Sequence, residues 1–105
     1  MSLIIKKKVE EEVTYYRLAG ILDISTDAFD DNFSDLKDVG DLVIDIDEIR
    51  FIDSSGINLL AQIIKKCQKQ RIPIKIINIS NEIFEVLDLI GLPELFGEDI
   101  FILKK

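Results

Sequence analysis

Two short runs of alternating hydrophobic and polar residues open the chain. Leu3–Lys8 and Val13–Ala19 read as strands, with Val13, Tyr15 and Arg17 on one face of the second and Tyr16 and Leu18 on the other. The charged stretch Val9-Glu10-Glu11-Glu12 forms the turn of this hairpin, and Gly20 is expected to break the second strand. The period then lengthens: Phe29, Phe33 and Leu36 recur four and three apart behind Ser25 and Thr26, either of which can cap a helix. Leu42-Val43-Ile44-Asp45-Ile46 is β-branched and nearly continuous, as expected for a central strand covered on both sides. Beyond it, Ile57, Leu60, Ala61, Ile64 and Cys67 share one face of a helix that leaves Lys65, Lys66 and Lys69 outside. Arg71 lies near its end, where positive charge suits the helix dipole, and Pro73 stops it. Ile74–Ile79 returns as a strand. Asn81 is placed to cap a third helix bearing Ile83, Phe84, Leu87 and Ile90, which Gly91 and Pro93 terminate. Ile100–Leu103 is a short last strand.

The order ββαβαβαβ predicts one α/β domain spanning residues 1–105, with a mixed sheet, helices packed against it and right-handed crossovers between parallel strands. At 105 residues and 48% hydrophobic content the chain can bury a core of its own. No run approaches the roughly 20 apolar residues of a membrane span, and the first residues lack the charge order of a signal peptide. Cys67 is the only cysteine, which leaves no internal disulfide and suits a reducing compartment. A cytoplasmic protein with no direct membrane insertion is therefore expected.

The chain has no histidine, which removes Ser-His-Asp and Cys-His catalysis, most zinc sites and histidine phosphotransfer. No phosphate-binding glycine loop of the Gly-Lys-Ser type occurs. The expectation is a protein that is not an enzyme and needs no cofactor. A net charge of −7 disfavours nucleic acid as a partner. Between Asp23 and Glu48, Lys37 is the sole base, so an acidic face is available to steer a basic partner. Asp23, Asp27, Asp30 and Asp31 read as solvated acids rather than as a metal site. Phe29, Phe33 and Phe84 read as core.

The informative stretch is Phe51-Ile52-Asp53-Ser54-Ser55-Gly56-Ile57. Asp, Ser, Ser and Gly before an amphipathic helix make a good N-terminal cap, and taken alone the stretch requires nothing more. Three features add to it. Two hydroxyls stand together at a helix N-terminus, where a phosphate would meet free N–H groups and the positive end of the dipole. Gly56 carries no side chain to obstruct another protein. The loop also follows the most apolar strand, near where ligands meet open α/β sheets.

At these residues the chain resembles the STAS family, the sulfate-transporter and anti-sigma-antagonist domain, over essentially its whole length. The resemblance rests on the hairpin, Leu18-Ala19-Gly20-Ile21-Leu22-Asp23, Leu42-Val43-Ile44-Asp45, the Asp53–Gly56 motif with its preceding strand, and Val86-Leu87-Asp88-Leu89-Ile90-Gly91-Leu92. It implies the anti-sigma-factor antagonist branch, in which the second serine of the motif, here Ser55, is phosphorylated. The implied partners are an anti-sigma factor that is also a serine kinase of the GHKL type, and a PP2C-type phosphatase that resets the cycle. The implied partner-binding residues are Asp23, Ser25, Thr26, Asp53, Ser54, Ser55, Gly56, Ile57 and Asn58. Asp23 would position or reject charge, Ser54 and Asp53 would hold the turn, and Gly56 would allow close approach. Self-association stays open.

Asn58 departs from the small residue that many relatives carry there. The chain also stops at Lys105, where many relatives continue into a further helix, which leaves part of the sheet or a helix face less covered. Two rivals stand beside the switch. One is a STAS scaffold or accessory subunit, stressosome-like or in lipid transport, with Phe51 and Ile57 as candidate contacts although both are expected to be buried. The other is a receiver phosphorylated on aspartate, since Asp41–Asp47 resembles its acceptor strand. A receiver also needs an acidic pair after its first strand, and here Lys6-Lys7-Lys8 stands instead.

Overall fold

The computed structural model describes residues 3–23, 33, 36 and 38–105. Five strands form one mixed sheet in the order β1-β2-β3-β4-β5: β1 (Leu3–Glu10), β2 (Val13–Leu22), β3 (Asp41–Ile52), β4 (Ile74–Ile79) and β5 (Phe101–Leu103). β1 runs antiparallel to β2, and the remaining neighbours are parallel. The helices are α1 (Ser54–Lys69), α2 (Asn81–Ile90) and the short α3 (Leu92–Phe96), with a 3-10 turn at Glu98–Ile100. The α/β class, the mixed sheet and the hairpin are as expected from the sequence. The helix expected behind Ser25 and Thr26 lies outside the described residues, as do those two side chains and Phe29. Phe33 and Leu36 from that segment are buried, and the Phe33 ring meets Tyr16 at 4.5 Å between centroids.

Several local expectations are corrected. Val9 and Glu10 belong to β1, and the turn is only Glu11-Glu12, where Glu11 takes a positive φ of 55°. Gly20 does not end β2. It bends it, with φ at 110° and register shifts on either side, and the strand continues to Leu22. α1 ends at Lys69, so Pro73 follows a helix already stopped, and Arg71 turns the chain with φ at 60° beyond the last turn. Ser80 rather than Asn81 caps α2, its Oγ accepting from the Ile83 N–H at 3.2 Å. Gly91 ends α2 at φ 95°, but Pro93 then opens α3, in a first-turn position where its missing N–H costs nothing. Ile100 falls in the 3-10 turn, which shortens β5.

The sheet is covered on one face. Thr14, Tyr16 and Leu18 of β2, Leu42, Ile44 and Ile46 of β3, and Ile74 and Ile76 of β4 are buried against Ile57, Leu60, Ile64, Cys67 and Leu87 of the helices. On the opposite face Val43 and Asp45 are half-buried, and Tyr15, Arg17 and Lys75 are exposed. The expected two-sided cover of β3 is thus overturned, because its alternate residues meet solvent and charge rather than a second helix layer. Arg17 Nε pairs with Asp45 Oδ2 at 3.6 Å across that face, and Lys104 Nζ with Asp47 Oδ1 at 2.7 Å. The Lys104–Asp47 pair is exposed on both sides and contributes little to stability.

Candidate functional site

The Asp53–Gly56 segment forms the junction between β3 and α1. Asp53 is extended, at φ −110° and ψ −174°, and its carboxylate accepts from the Gly56 N–H at 2.9 Å. Its carbonyl accepts from the Ile57 N–H at 2.9 Å, the first bond of the helix. These two bonds satisfy the third and fourth N–H groups of α1. The N–H groups of Ser54 and Ser55, the first two, have no acceptor in the preceding turn and remain at the positive end of the dipole. The Asp53 cap sets one carboxylate at that end, and no further acidic residue lies in the first turn of α1.

The strands decide what stands beside this junction. Leu22 at the end of β2 pairs with Ile52 at the end of β3, and the Asp53 N–H donates to the Leu22 carbonyl at 3.4 Å. Asp23 follows Leu22 directly, so the two loop aspartates emerge from adjacent strand ends. The structure therefore brings Asp23 together with Asp53, Ser54 and Ser55. Ser25 and Thr26 of the expected surface lie outside the described residues.

Exposure divides the expected site residues. Ser54 and Asn58 are exposed, and Asp23, Asp53 and Ser55 are half-buried. Gly56 and Ile57 are buried, Ile57 with 5% of its surface accessible. A partner does not reach Gly56 in this arrangement. A Cβ placed there would lie 2.1 Å from the Leu22 carbonyl oxygen and 2.9 Å from Ile52 Cγ1. The missing side chain serves the packing of α1 on the ends of β2 and β3, which corrects the reading of Gly56 as an opening for a partner. Ile57 likewise belongs to the core.

Phe51 takes the opposite turn. Expected to be buried, it is 54% exposed. Between the pairs Arg17–Asp45 and Leu22–Ile52, β3 contains two residues more than β2, and both register shifts fall in this stretch. The first extra residue turns Ile49 inward, and the second restores the original alternation, which sets Phe51 in phase with Val43 and Asp45 on the uncovered face. Phe51 borders a groove of about 670 Å³ together with Ile4, Ala19, Ile21, Glu48 and Arg50. Sequence reasoning missed Ile4 and Ile21 as neighbours of the motif, and only the β1–β2 and β2–β3 registers together could have revealed them. Among the described residues no group of histidine, cysteine or acidic side chains is arranged to hold a metal ion. No helix there is long and apolar enough to cross a membrane.

The sheet order 1-2-3-4-5 with an antiparallel first pair differs from the doubly wound 2-1-3-4-5 order of receiver domains, so that rival falls away. Similar solved structures agree on a different fold. An anti-sigma factor antagonist from Mycobacterium paratuberculosis superimposes with a TM-score of 0.77 at 20% identity, covering 99% of this chain and 87% of its own. A sulfate transporter family protein from Wolinella succinogenes gives 0.78 at 18% identity, covering 91% and 80%. The anti-sigma factor antagonist SpoIIAA in its unphosphorylated form gives 0.65 at 19% identity, covering 82% and 83%. At these identities the likeness is one of fold. No curated protein sequence matches the chain. The sequence profile of the STAS domain does match it, over residues 5–102, and with the one-sided mixed sheet and the Asp-Ser-Ser-Gly junction at the head of α1 this chain belongs to the STAS domain family.

Proposed function

We propose that this STAS domain is an anti-sigma-factor antagonist, a binding module that holds an anti-sigma factor while Ser55 is unphosphorylated and releases it afterwards. The observation that carries this reading is the position of Ser55. It is a half-buried serine at the second residue of α1, beside two helix N–H groups that have no acceptor among the described residues, at a junction next to which Asp23 and Asp53 leave adjacent strand ends. A phosphate there adds about −1.5 to −2 charges. The free N–H groups and dipole accommodate it within the domain, while Asp23 and Asp53 leave the outer surface strongly negative. A docked partner would meet that charge at the centre of the contact. Weakening a complex from nanomolar to micromolar requires only about 4 kcal/mol, within reach of a desolvated dianion.

In this reading Asp23, Ser54 and Asn58 contact the partner directly, together with Ser25 and Thr26, and Phe51 is an apolar anchor at the edge. The partner is an anti-sigma factor with serine-kinase activity of the GHKL type, reset by a PP2C-type phosphatase, and the cycle runs in the cytoplasm. The domain itself is regulatory rather than catalytic, as STAS domains generally are. A second reading keeps the fold without the switch, as a domain attached to a transporter or scaffold. The likeness to a sulfate transporter family protein favours it as the alternative.

Phosphate-affinity electrophoresis separates the two. Wild type and Ser55→Ala are incubated with ATP and lysate of the native host, with a control substrate to show that kinases are active. A retarded band in wild type that is lost in Ser55→Ala is expected. No retardation in either, with the control phosphorylated, would leave the unswitched scaffold.

A further inference from the structure

The apolar surface of α2 exceeds what the core covers. Leu87 is fully buried and Ile83 half-buried, yet Val86, Leu89 and Ile90, three and four apart on one flank of the helix, are 40%, 88% and 53% exposed. Leu95 of α3 continues the display at 71%. Four large aliphatic side chains facing water within ten residues are a contact surface rather than scattered exposure. Glu82 and Glu85 border the flank, and the segment Asn81–Phe96 holds four acids, with Asp88 and Glu94, and no base. The C-terminal end of α2 adds the negative end of its dipole.

We propose that this surface docks a basic amphipathic helix of another protein, with aliphatic anchors on Val86, Leu89, Ile90 and Leu95 and lysines or arginines against the acidic border. Charge selects this occupant. A second copy docked through the same patch by a two-fold axis would oppose the acids of Asn81–Phe96 to one another. An anionic bilayer would be repelled by them. The surface is also separate from the Ser54–Ser55 junction. Gln68 Nε2 donates to the Phe96 carbonyl at 3.0 Å, which ties α3 to the far end of α1. Gln68 stands about 21 Å along that helix from Ser54 at 1.5 Å per residue. A partner held here leaves the junction accessible, so the domain can engage two proteins at once.

The test uses the full chain and a fluorescent synthetic helix of leucine and lysine with its leucines on one face, alongside a counterpart in which glutamate replaces lysine. Anisotropy titrations are run on wild type, on the double variant Leu89→Ser with Leu95→Ser, and on Tyr15→Ser on the open sheet face as a control. The double variant removes apolar surface without changing charge, and thermal unfolding checks that it remains folded. The expected result is binding of the lysine helix, weakened about tenfold or more in the double variant, unchanged in Tyr15→Ser and absent with the glutamate helix. Amide shifts of wild type on adding the lysine helix should centre on residues 86–96. Equal binding by wild type and the double variant would overturn the proposal, since it would leave only general attraction to an acidic protein. Two further results would also overturn it: a concentration-dependent dimer in sedimentation velocity that the double variant abolishes, and flotation with vesicles of phosphatidylcholine and phosphatidylglycerol in equal parts.

Discussion

Gly56→Ala sets two effects of opposite sign against each other. In an ordinary helix the change stabilises, because alanine exceeds glycine in helix propensity by up to about 1 kcal/mol. At this position the new methyl carbon would lie 2.1 Å from the Leu22 carbonyl oxygen and 2.8 Å from its carbon, both backbone atoms that no rotamer change can move aside. Restoring ordinary contact requires the first turn of α1 to retreat by about 1 Å from the end of β2. That retreat strains the Asp53 N–H to Leu22 carbonyl bond, already 3.4 Å long, and loosens Ile57 in the core. Overpacking costs about 1–3 kcal/mol, and a clash with immovable backbone belongs to the upper part, about 2–3 kcal/mol, so the net expectation is a loss of about 1–2 kcal/mol once about 1 kcal/mol of propensity is credited. For a domain of this size each kcal/mol lowers Tm by about 4–8 °C. Urea titration followed by far-ultraviolet circular dichroism measures the difference directly, provided the slopes of the two curves agree. A variant as stable as wild type, or more so, would refute the reasoning and show that the junction is loose enough to absorb a methyl group.

Two further outcomes follow from the same structure. Asp53→Ala removes the cap that accepts from the Gly56 N–H and should cost about 1 kcal/mol, whereas Asp53→Asn, an equally good cap, should retain most of the stability; equal losses in the same urea assay would assign the effect to charge instead. Burial pushes the Cys67 thiol up to about 11 from 9.0, the neighbouring Lys66 opposing it. The raised value means that the stability from keeping this thiol neutral is complete below pH 9 and is withdrawn as pH climbs towards 11. Iodoacetamide at pH 8 should therefore label Cys67 only after unfolding, and rapid labelling of the native protein would refute the buried placement.

Much of the architecture follows from the order of residues along the chain. Strand and helix types came from local period, which is a property of each segment alone: alternation in Tyr15–Leu18, a repeat of three and four in Ile57–Cys67, and Asp53 before an amphipathic run as a cap. The capping bond from Gly56 to Asp53 and the bounds of β4 were legible for that reason. The motif Asp-Ser-Ser-Gly was legible too, as a helix start that presents hydroxyls.

What the residues do at that junction depended on partners distant in sequence. Gly56 looks like an opening when only its neighbours in the chain are known, and becomes a packing requirement once Leu22, 34 positions earlier, is laid against it. Phe51 reads as core in an apolar run, yet the two residues that β3 gains on β2 bring it back into phase with Val43 and Asp45 on the uncovered face, and register is a relation between strands that neither strand encodes alone. The same holds for the open sheet face and for the uncovered flank of α2. A hydrophobic pattern states which side chains seek cover, whereas the number and placement of packed layers decides which of them find it.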